Sequence, residues 1–223
     1  MENQLYVHIA KRMFGSIVLI ALVSCFLALP PPASRAVNAS QNFIIPGKSV
    51  GQLKLGDPGS RVLDLFPWDP KRDEQHTYAF CGPRTEYHWL DNDHLGSWGL
   101  FVYVRDDHIF QIESATPRFK TVGGITVNSP PQLVRVHYHT LRAFQLRYSA
   151  ADVSGGRDLI YWVDLPQGIA FEFYFDRNQG ERRVNRISTF LPGTQFLPGG
   201  CIVPPQEWIE LAPYSLEPPN ART

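Results

Sequence analysis

The sequence of 223 residues predicts an α+β fold in which one short module occurs twice. Residues 50–66 read VGQLKLGDPGSRVLDLF and residues 122–138 read VGGITVNSPPQLVRVHY, so glycine, apolar residues and proline recur in the same order. Three strand-like runs follow each copy. A helix followed by strands, twice over, predicts two repeated helix-plus-three-stranded-antiparallel-meander units, residues 40–120 and 121–190, forming a sheet with helices on one face.

Each copy of the module reads as a short strand followed by the start of a helix. In the first copy Leu53 and Leu55 alternate with other residues, as in a strand. Asp57 can accept a helix N–H, and Pro58 suits the first helical position because its own N–H is missing. A capping box is predicted over residues 129–132 of the second copy. The matching residues there are Ile125, Val127, Ser129 and Pro130.

Three strands are predicted after each helix. They lie at 87–89, 99–104 and 108–112 in the first unit and at 159–163, 168–173 and 183–187 in the second. Because successive side chains of a strand point to opposite faces, one set of alternate residues should line the core. That set is Leu100, Val102, Val104, Ile169, Phe171, Phe173 and Phe175.

The opposite side of this sheet is the predicted working surface. An antiparallel sheet with helices on one side can leave its other side open, and Trp and Tyr commonly dominate protein binding. As an alternative, the inserts or the tail cover this side, with Phe196 and Trp208 as natural covers. The candidate binding residues are His88, Phe101, Tyr103, Trp162, Glu172 and Tyr174.

The order of elements, with a glycine-led opening of the form G-x-φ-x-(Gly/Asn)-x-Pro, resembles the tandem units of β-lactamase-inhibitor proteins. A single unit resembles the small lipoprotein of the outer-membrane assembly machinery. The resemblance covers residues 45–190 and implies one sheet with helices behind it and a concave, partner-binding face in front. Longer inserts at 67–86 and 139–158 depart from that pattern, and no functional residue is carried over.

The chain begins with a segment that has the anatomy of a secretory signal. Lys11 and Arg12 precede an apolar run over residues 13–29, and small side chains follow, so cleavage after Ala39 is predicted. Two alternatives are an uncleaved N-terminal anchor, because roughly 17–25 apolar residues span a bilayer, and a lipidated Cys25. All three predict an extracytoplasmic domain that is periplasmic, secreted or membrane-anchored, with membrane contact only through this segment.

Charge limits the class of partner. Removing residues 1–39 takes away three of the 21 basic residues and one of the 21 acidic residues, which leaves 18 against 20. A near-neutral chain without a polybasic stripe is not expected to bind nucleic acid, so the predicted partner is a protein.

The remaining cysteines and the C-terminal tail are predicted to be connected. Cys81 and Cys201 are expected to form a disulfide in an oxidising compartment, the alternative being two unpaired thiols. Residues 191–223 are rich in proline, which predicts an extended tail that wraps over the domain.

The sequence contains one pattern typical of a metal site. His88, Asp91, Asp93 and His94 combine imidazole and carboxylate groups that suit zinc, although Asp-Asn-Asp is also typical of a solvated hairpin loop. We identify no catalytic residue and no cofactor motif. The sequence therefore predicts an exported, non-enzymatic protein-binding or scaffolding module of the cell envelope. The alternative is an extracytoplasmic hydrolase, with or without a metal ion bound by His88, Asp93 and His94.

Overall fold

The computed structural model describes residues 42–65, 74–77, 84–91, 97–146, 159–176, 180–201 and 208–217. The early strands are β1 (Phe43–Ile45), β2 (Ser49–Val50), β3 (Leu53–Lys54), β4 (Glu74–Thr77), β5 (Thr85–Asp91), β6 (Ser97–Arg105), β7 (His108–Ser114) and β8 (Lys120–Thr121). The later strands are β9 (Arg142–Leu146), β10 (Leu159–Asp164), β11 (Ile169–Asp176), β12 (Glu181–Phe190) and β13 (Trp208–Leu211). The α-helices are α1 (Arg61–Leu65) and α2 (Pro131–His137), and Pro198–Gly200 form one 3₁₀ turn.

Nine of the described strands form one sheet in the order β13-β9-β10-β11-β12-β7-β6-β5-β4. Every neighbouring pair in it is antiparallel. At its centre β12 pairs with β7 through Ile187↔Ser114 and Ser188↔Glu113. This pairing joins strands that lie about seventy residues apart in the sequence into a single continuous sheet.

A smaller sheet has the order β3-β2-β1-β8. Strand β1 pairs antiparallel with β2 and parallel with β8, so the start of the domain is tied to the middle of the chain. Ile44, Val50 and Leu53 of this sheet are fully buried in the same core as one side of the large sheet.

The predicted fold class is wrong. The described part of the chain is β-rich, with helices of only 5 and 7 residues, and it does not consist of two helix-plus-meander units. Strands β4, β9 and β13 extend the large sheet beyond the two predicted meanders, and the small sheet has no place in them.

The two copies of the predicted module have different structures. Val50 is 0 % exposed in the β2–β3 hairpin, whereas Val122 is 77 % exposed. Leu53–Lys54 forms strand β3, whereas residues 125–127 form no strand, although residues with positive φ flank both segments. A matching order of residue types therefore gave matching buried positions at Leu53 and Ile125, but not matching strands.

The predicted helix caps are also wrong. Asp57 Oδ2 accepts a hydrogen bond from the Lys54 N–H at 3.2 Å, and Ser129 Oγ accepts one from the Thr126 N–H at 2.9 Å. Each side chain thus closes the turn that precedes it. The N-cap of α2 is Pro130, which makes no side-chain capping bond.

The main core lies between the large sheet, the small sheet and the two helices, and we call this side of the large sheet the helix face. The predicted core residues Leu100, Val102, Val104, Ile169, Phe171 and Phe173 are buried there, as alternation predicts. Phe175 is 51 % exposed instead, near the end of β11 and beyond a register shift between Glu172 and Phe173. No helix among the described residues has the length and apolarity needed to span a membrane.

Candidate functional site

The other side of the large sheet carries a row of buried charged groups, and we call it the network face. Arg84, Glu86 and His88 lie along β5 and the residue before it. Arg84 donates to Glu86 Oε2 at 2.8 Å, and His88 Nε2 contacts Glu86 Oε1. Burial acts to raise the pKa of Glu86, but the hydrogen bonds from His88 and Arg84 outweigh it and hold that pKa below its ordinary value.

A second carboxylate lies at the centre of the network face. Glu113 Oε2 accepts a hydrogen bond from the Tyr103 hydroxyl at 3.1 Å and lies 3.3 Å from Arg186 NH1. Glu113 Oε1 accepts a hydrogen bond from the Gln111 amide at 2.9 Å. Burial raises the pKa of Glu113 despite the opposing charge of Arg186, because desolvation penalises the carboxylate more than the guanidinium favours it. Burial likewise raises the pKa of Tyr103 well above its ordinary value.

A third carboxylate extends the network towards β10. Glu172 accepts hydrogen bonds from the Tyr161 hydroxyl at 2.8 Å and from the Asn185 amide. Burial acts to lower the pKa of Arg186, but the charges of Glu172 and Glu113 outweigh it and raise that pKa. The network therefore alternates acids and bases across the middle of the sheet, which compensates the cost of burying each charge.

The predicted binding residues are divided between the two faces. His88, Phe101, Tyr103 and Glu172 lie on the network face and are buried, and Tyr174 is half-buried on β11. The guanidinium of Arg186 lies 4.4 Å from the centre of the Phe101 ring and covers it. These side chains do not form an open aromatic surface.

Trp162 lies on the helix face and is 0 % exposed. It pairs directly with Phe171 across the β10–β11 hairpin and so shares the face of Phe171. Its ring packs 4.5 Å from the Phe173 ring, and its indole N–H donates to the Ser215 carbonyl at 3.0 Å. The prediction that Trp162 lies on the same face of the sheet as Tyr103 is wrong.

Residues 194–201, which we call the covering segment, pack on part of the network face. Gln111 ties the segment down, because its amide nitrogen donates to the Leu197 carbonyl at 2.6 Å and its amide oxygen accepts from the Leu197 N–H at 3.3 Å. Gly200 lies so close to Tyr103 that an added Cβ would approach the ring to 2.4 Å. The Phe196 ring packs 5.5 Å from the Tyr161 ring. Coverage by the tail, one of the two sequence-based interpretations, is thus observed at Tyr103 and Tyr161.

Cys201, at the end of the covering segment, is disulfide-bonded. Its Sγ accepts a hydrogen bond from Arg84 NH1 at 3.0 Å, which connects the segment to the charged row on β5. Cys81 lies outside the described residues, so its pairing with Cys201 stays a prediction.

The predicted metal ligands are not brought together in the described part of the chain. His88 is buried against Glu86, and Asp91 is the last residue of β5. Asp93 and His94 lie outside the described residues. Among the residues that the structure does describe, no group of three His, Cys, Asp or Glu side chains could hold a metal ion.

An open cavity borders the covering segment at the β9–β10 side of the sheet. We call it the apolar cleft; its volume is about 290 Å³, and its walls include Phe144, Val163, Leu165, Phe196 and Trp208. The Trp208 ring packs edge-on against Phe144 at 5.5 Å and lies 6.3 Å from Phe196. No charged side chain lines this cavity among the described residues.

The sequence analysis missed Glu86, Glu113, Arg186 and Tyr161, which carry most of the network. A signal was available for part of it, because Gln111 and Glu113 flank the buried Ile112 along β7 and so share the face opposite to it. Charged residues inside a strand that is buried on both sides require partners. The sequence could indicate that partners exist, but not which strand supplies them.

Comparisons with known proteins do not identify a family for this chain. No family model matches the chain, and no curated protein matches it. The crystal structure of the uncharacterized protein yfeY from Escherichia coli is similar with a TM-score of 0.43 and 13 % sequence identity, over 66 % of this chain and 98 % of that chain. A similarity of this size carries no argument about function.

Proposed function

We propose that the chain is an exported, non-enzymatic protein-binding module of the cell envelope, and that a partner protein inserts an apolar side chain into the apolar cleft. Export rests on the N-terminal leader predicted from the sequence. Binding rests on one structural observation: the Trp208, Phe144 and Phe196 rings line an open cavity, whereas the aromatic residues of the network face are buried.

The size of the apolar cleft suits a side chain. Its volume of about 290 Å³ is nearly twice the roughly 150 Å³ of a cavity that takes up benzene. A partner's aromatic or branched aliphatic side chain would therefore fit and displace water from apolar walls. Trp208 is half-exposed at this cleft. Tryptophan is among the residue types that contribute most binding energy at protein interfaces.

The surroundings of the cleft resemble the rim of a protein interface. Arg142 and Glu210 form a two-point ion pair at 2.9 and 2.7 Å, and Arg142 lies 5.1 Å from the Phe144 ring. Their side chains are 53 % and 55 % exposed, so the pair adds little to stability and is available to polar groups of a partner. Apolar walls beside a polar rim are typical of interfaces between proteins.

A site-specific cross-link tests this function. Gln195, an exposed residue on the wall of the cleft, is replaced with the photo-cross-linking residue p-benzoylphenylalanine in the exporting cell. We expect one discrete protein adduct, and Leu165→Asp should abolish it by placing a charge in the cleft. Leu63→Asp is the matched control, because Leu63 is also partly exposed but lies on α1.

The adduct alone is not sufficient support. The partner is identified by mass spectrometry, purified and titrated against the full mature chain, and Leu165→Asp should weaken its affinity by about tenfold or more. Thermal unfolding of both variants checks that they are folded. Equal affinity of the two variants for the partner would refute the proposal, as would an adduct that persists with Leu165→Asp.

A further inference from the structure

A second cavity lies against the covering segment, and we call it the arginine pocket. Its volume is about 270 Å³. Phe110, Phe190, Leu191 and Leu197 form its apolar walls, and Arg105 supplies the charge. Among the described residues that line it, no side chain is acidic.

Arg105 is held in place but lacks an acceptor. Its guanidinium carbon lies 4.5 Å from the centre of the Phe110 ring, which fixes the side chain by a cation–π contact. The NH2 nitrogen is buried and has no hydrogen-bond partner. Within the described part of the chain, Arg105 forms no ion pair with a carboxylate. The guanidinium thus carries its charge beside the cavity without a compensating carboxylate among the described residues, which favours an anion in the adjoining pocket.

The neighbouring polar groups do not satisfy Arg105. Gln111 also lines the pocket, but its amide is already bonded to Glu113 and to both backbone groups of Leu197. Asp106 and Asp107 line a more open cleft of about 360 Å³, which Arg105 also borders, and not the arginine pocket. Among the described residues, the pocket thus presents one cation, four apolar side chains and the polar Gln111, Thr194 and Gln195.

We propose that the arginine pocket binds a small organic carboxylate with an apolar body. A carboxylate can accept charge-assisted hydrogen bonds from the planar guanidinium of Arg105. The body of the ligand would cover Phe110, Phe190 and the leucine walls. The volume exceeds the roughly 150 Å³ that holds benzene, so a ring with a short acid chain fits. Inorganic phosphate would leave those walls uncovered.

This site is independent of the proposed partner. Thr194 and Gln195 line both the arginine pocket and the apolar cleft, so the two cavities flank one stretch of backbone. The carboxylate site, however, rests on Arg105 and the walls beside it, and it stands if the cleft binds no protein.

Calorimetric titration of the full mature chain tests the site with four probes: 3-phenylpropionate, octanoate, uncharged 3-phenylpropionamide and inorganic phosphate. We expect saturable binding of the two carboxylates, with the amide and phosphate at least about tenfold weaker. Arg105→Gln should weaken 3-phenylpropionate by at least about tenfold. Arg135→Gln, which changes an exposed arginine of α2, should leave its affinity unchanged.

A second variant keeps the test decisive if Arg105→Gln is unstable. Leu191 is 44 % exposed at the wall of the pocket, and Leu191→Trp should block binding while Arg105 stays in place. The proposal is overturned if neither carboxylate binds saturably, if the amide binds as well as the acid, or if phosphate binds as well as the acid. It is equally overturned if both Arg105→Gln and Leu191→Trp bind 3-phenylpropionate like the unchanged chain.

Discussion

The two faces of the large sheet are both buried, but by different means. The helix face packs aliphatic and aromatic side chains against the small sheet and the helices, with Trp162 and Phe171 fully buried. The network face buries charged groups in compensating pairs, and the covering segment lies on part of it. Burial on the first face requires only apolar contact, whereas burial on the second requires specific partners.

This difference explains why the open cavities proposed as binding sites lie at the border of the network face. Where the covering segment packs on Tyr103 and Tyr161, the surface is closed. Beside the segment, the apolar cleft and the arginine pocket stay open. A partner or ligand can therefore reach the borders of the segment without displacing it.

The largest effect is expected on the helix face. Trp162→Ala removes a fully buried ring and its hydrogen bond to Ser215, so the free energy of unfolding should fall by about 3–5 kcal/mol. Urea denaturation followed by circular dichroism measures it. A loss below about 1 kcal/mol, which is typical of a surface position, would show that Trp162 belongs on an open face, as the sequence predicted.

A smaller loss is expected when one charge of the network face is removed. Glu86→Ala leaves the Arg84 side chain, 2 % exposed, without its carboxylate, and should lower the free energy of unfolding by roughly 3 kcal/mol. The double variant Arg84→Met with Glu86→Leu should recover most of that loss, because the buried Arg84 charge is removed together with its partner and His88 can become neutral. If the double variant is less stable than Glu86→Ala, charge pairing is not what stabilises this face.

Two adjacent glycines test the contact between the covering segment and the sheet. Gly199 and Gly200 both have positive φ, so alanine strains the backbone at each, but only at Gly200 does the new Cβ meet the Tyr103 ring. Gly200→Ala should therefore destabilise the protein by about 2 kcal/mol more than Gly199→Ala. Thermal unfolding of both variants gives the difference, and equal losses would mean that the segment does not pack on Tyr103.

The smallest effect is a change in pH dependence. The pKa of Glu113 is raised above 4.5 in the folded state, so the folded state holds this proton more tightly than the unfolded state. Its stabilising contribution is complete below the unfolded pKa and is lost as the pH rises through the folded pKa. The free energy of unfolding should therefore fall less between about pH 4 and pH 8 in Glu113→Gln than in the unchanged protein, as measured by denaturation at each pH.

Glu86 provides the control for this series, because its pKa is shifted the other way. The contribution of Glu86 is present above its unfolded pKa and is lost as the pH falls through its lower folded pKa. Glu86→Gln should therefore keep a slope above pH 4.5, because burial is the main cause of the Glu113 shift, and should reduce it only by the small part that the Glu86 charge contributes. Identical slopes for Glu113→Gln and the unchanged chain would contradict the burial of Glu113.

The sequence predicted more about which residues are buried than about what buries them. Alternation identified six core residues on β6 and β11 correctly, because a strand with one apolar side has a period of two. The position of Trp162 depended on the register of the β10–β11 hairpin, where Asp164 pairs with Ile169, and alternation within one strand does not determine that register.

The features that the sequence did not predict depend on long-range pairing. Glu113 finds Arg186 at a separation of 73 residues, and Gln111 finds Leu197 at a separation of 86. Such contacts depend on how β7 meets β12 and where the tail returns, neither of which follows from local patterns. For the same reason the candidate site could not be located at the borders of the covering segment from sequence alone.

Nitration of the folded protein with tetranitromethane, mapped residue by residue with mass spectrometry, tests most directly whether the network face is closed. Tyr103 and Tyr161 are at most 2 % exposed, while Tyr174 and Tyr214 are half-buried. We expect modification of Tyr174 and Tyr214 and protection of Tyr103 and Tyr161 until the protein is unfolded. Nitration of Tyr103 in the folded protein as fast as that of Tyr174 would contradict the account and restore the open aromatic surface.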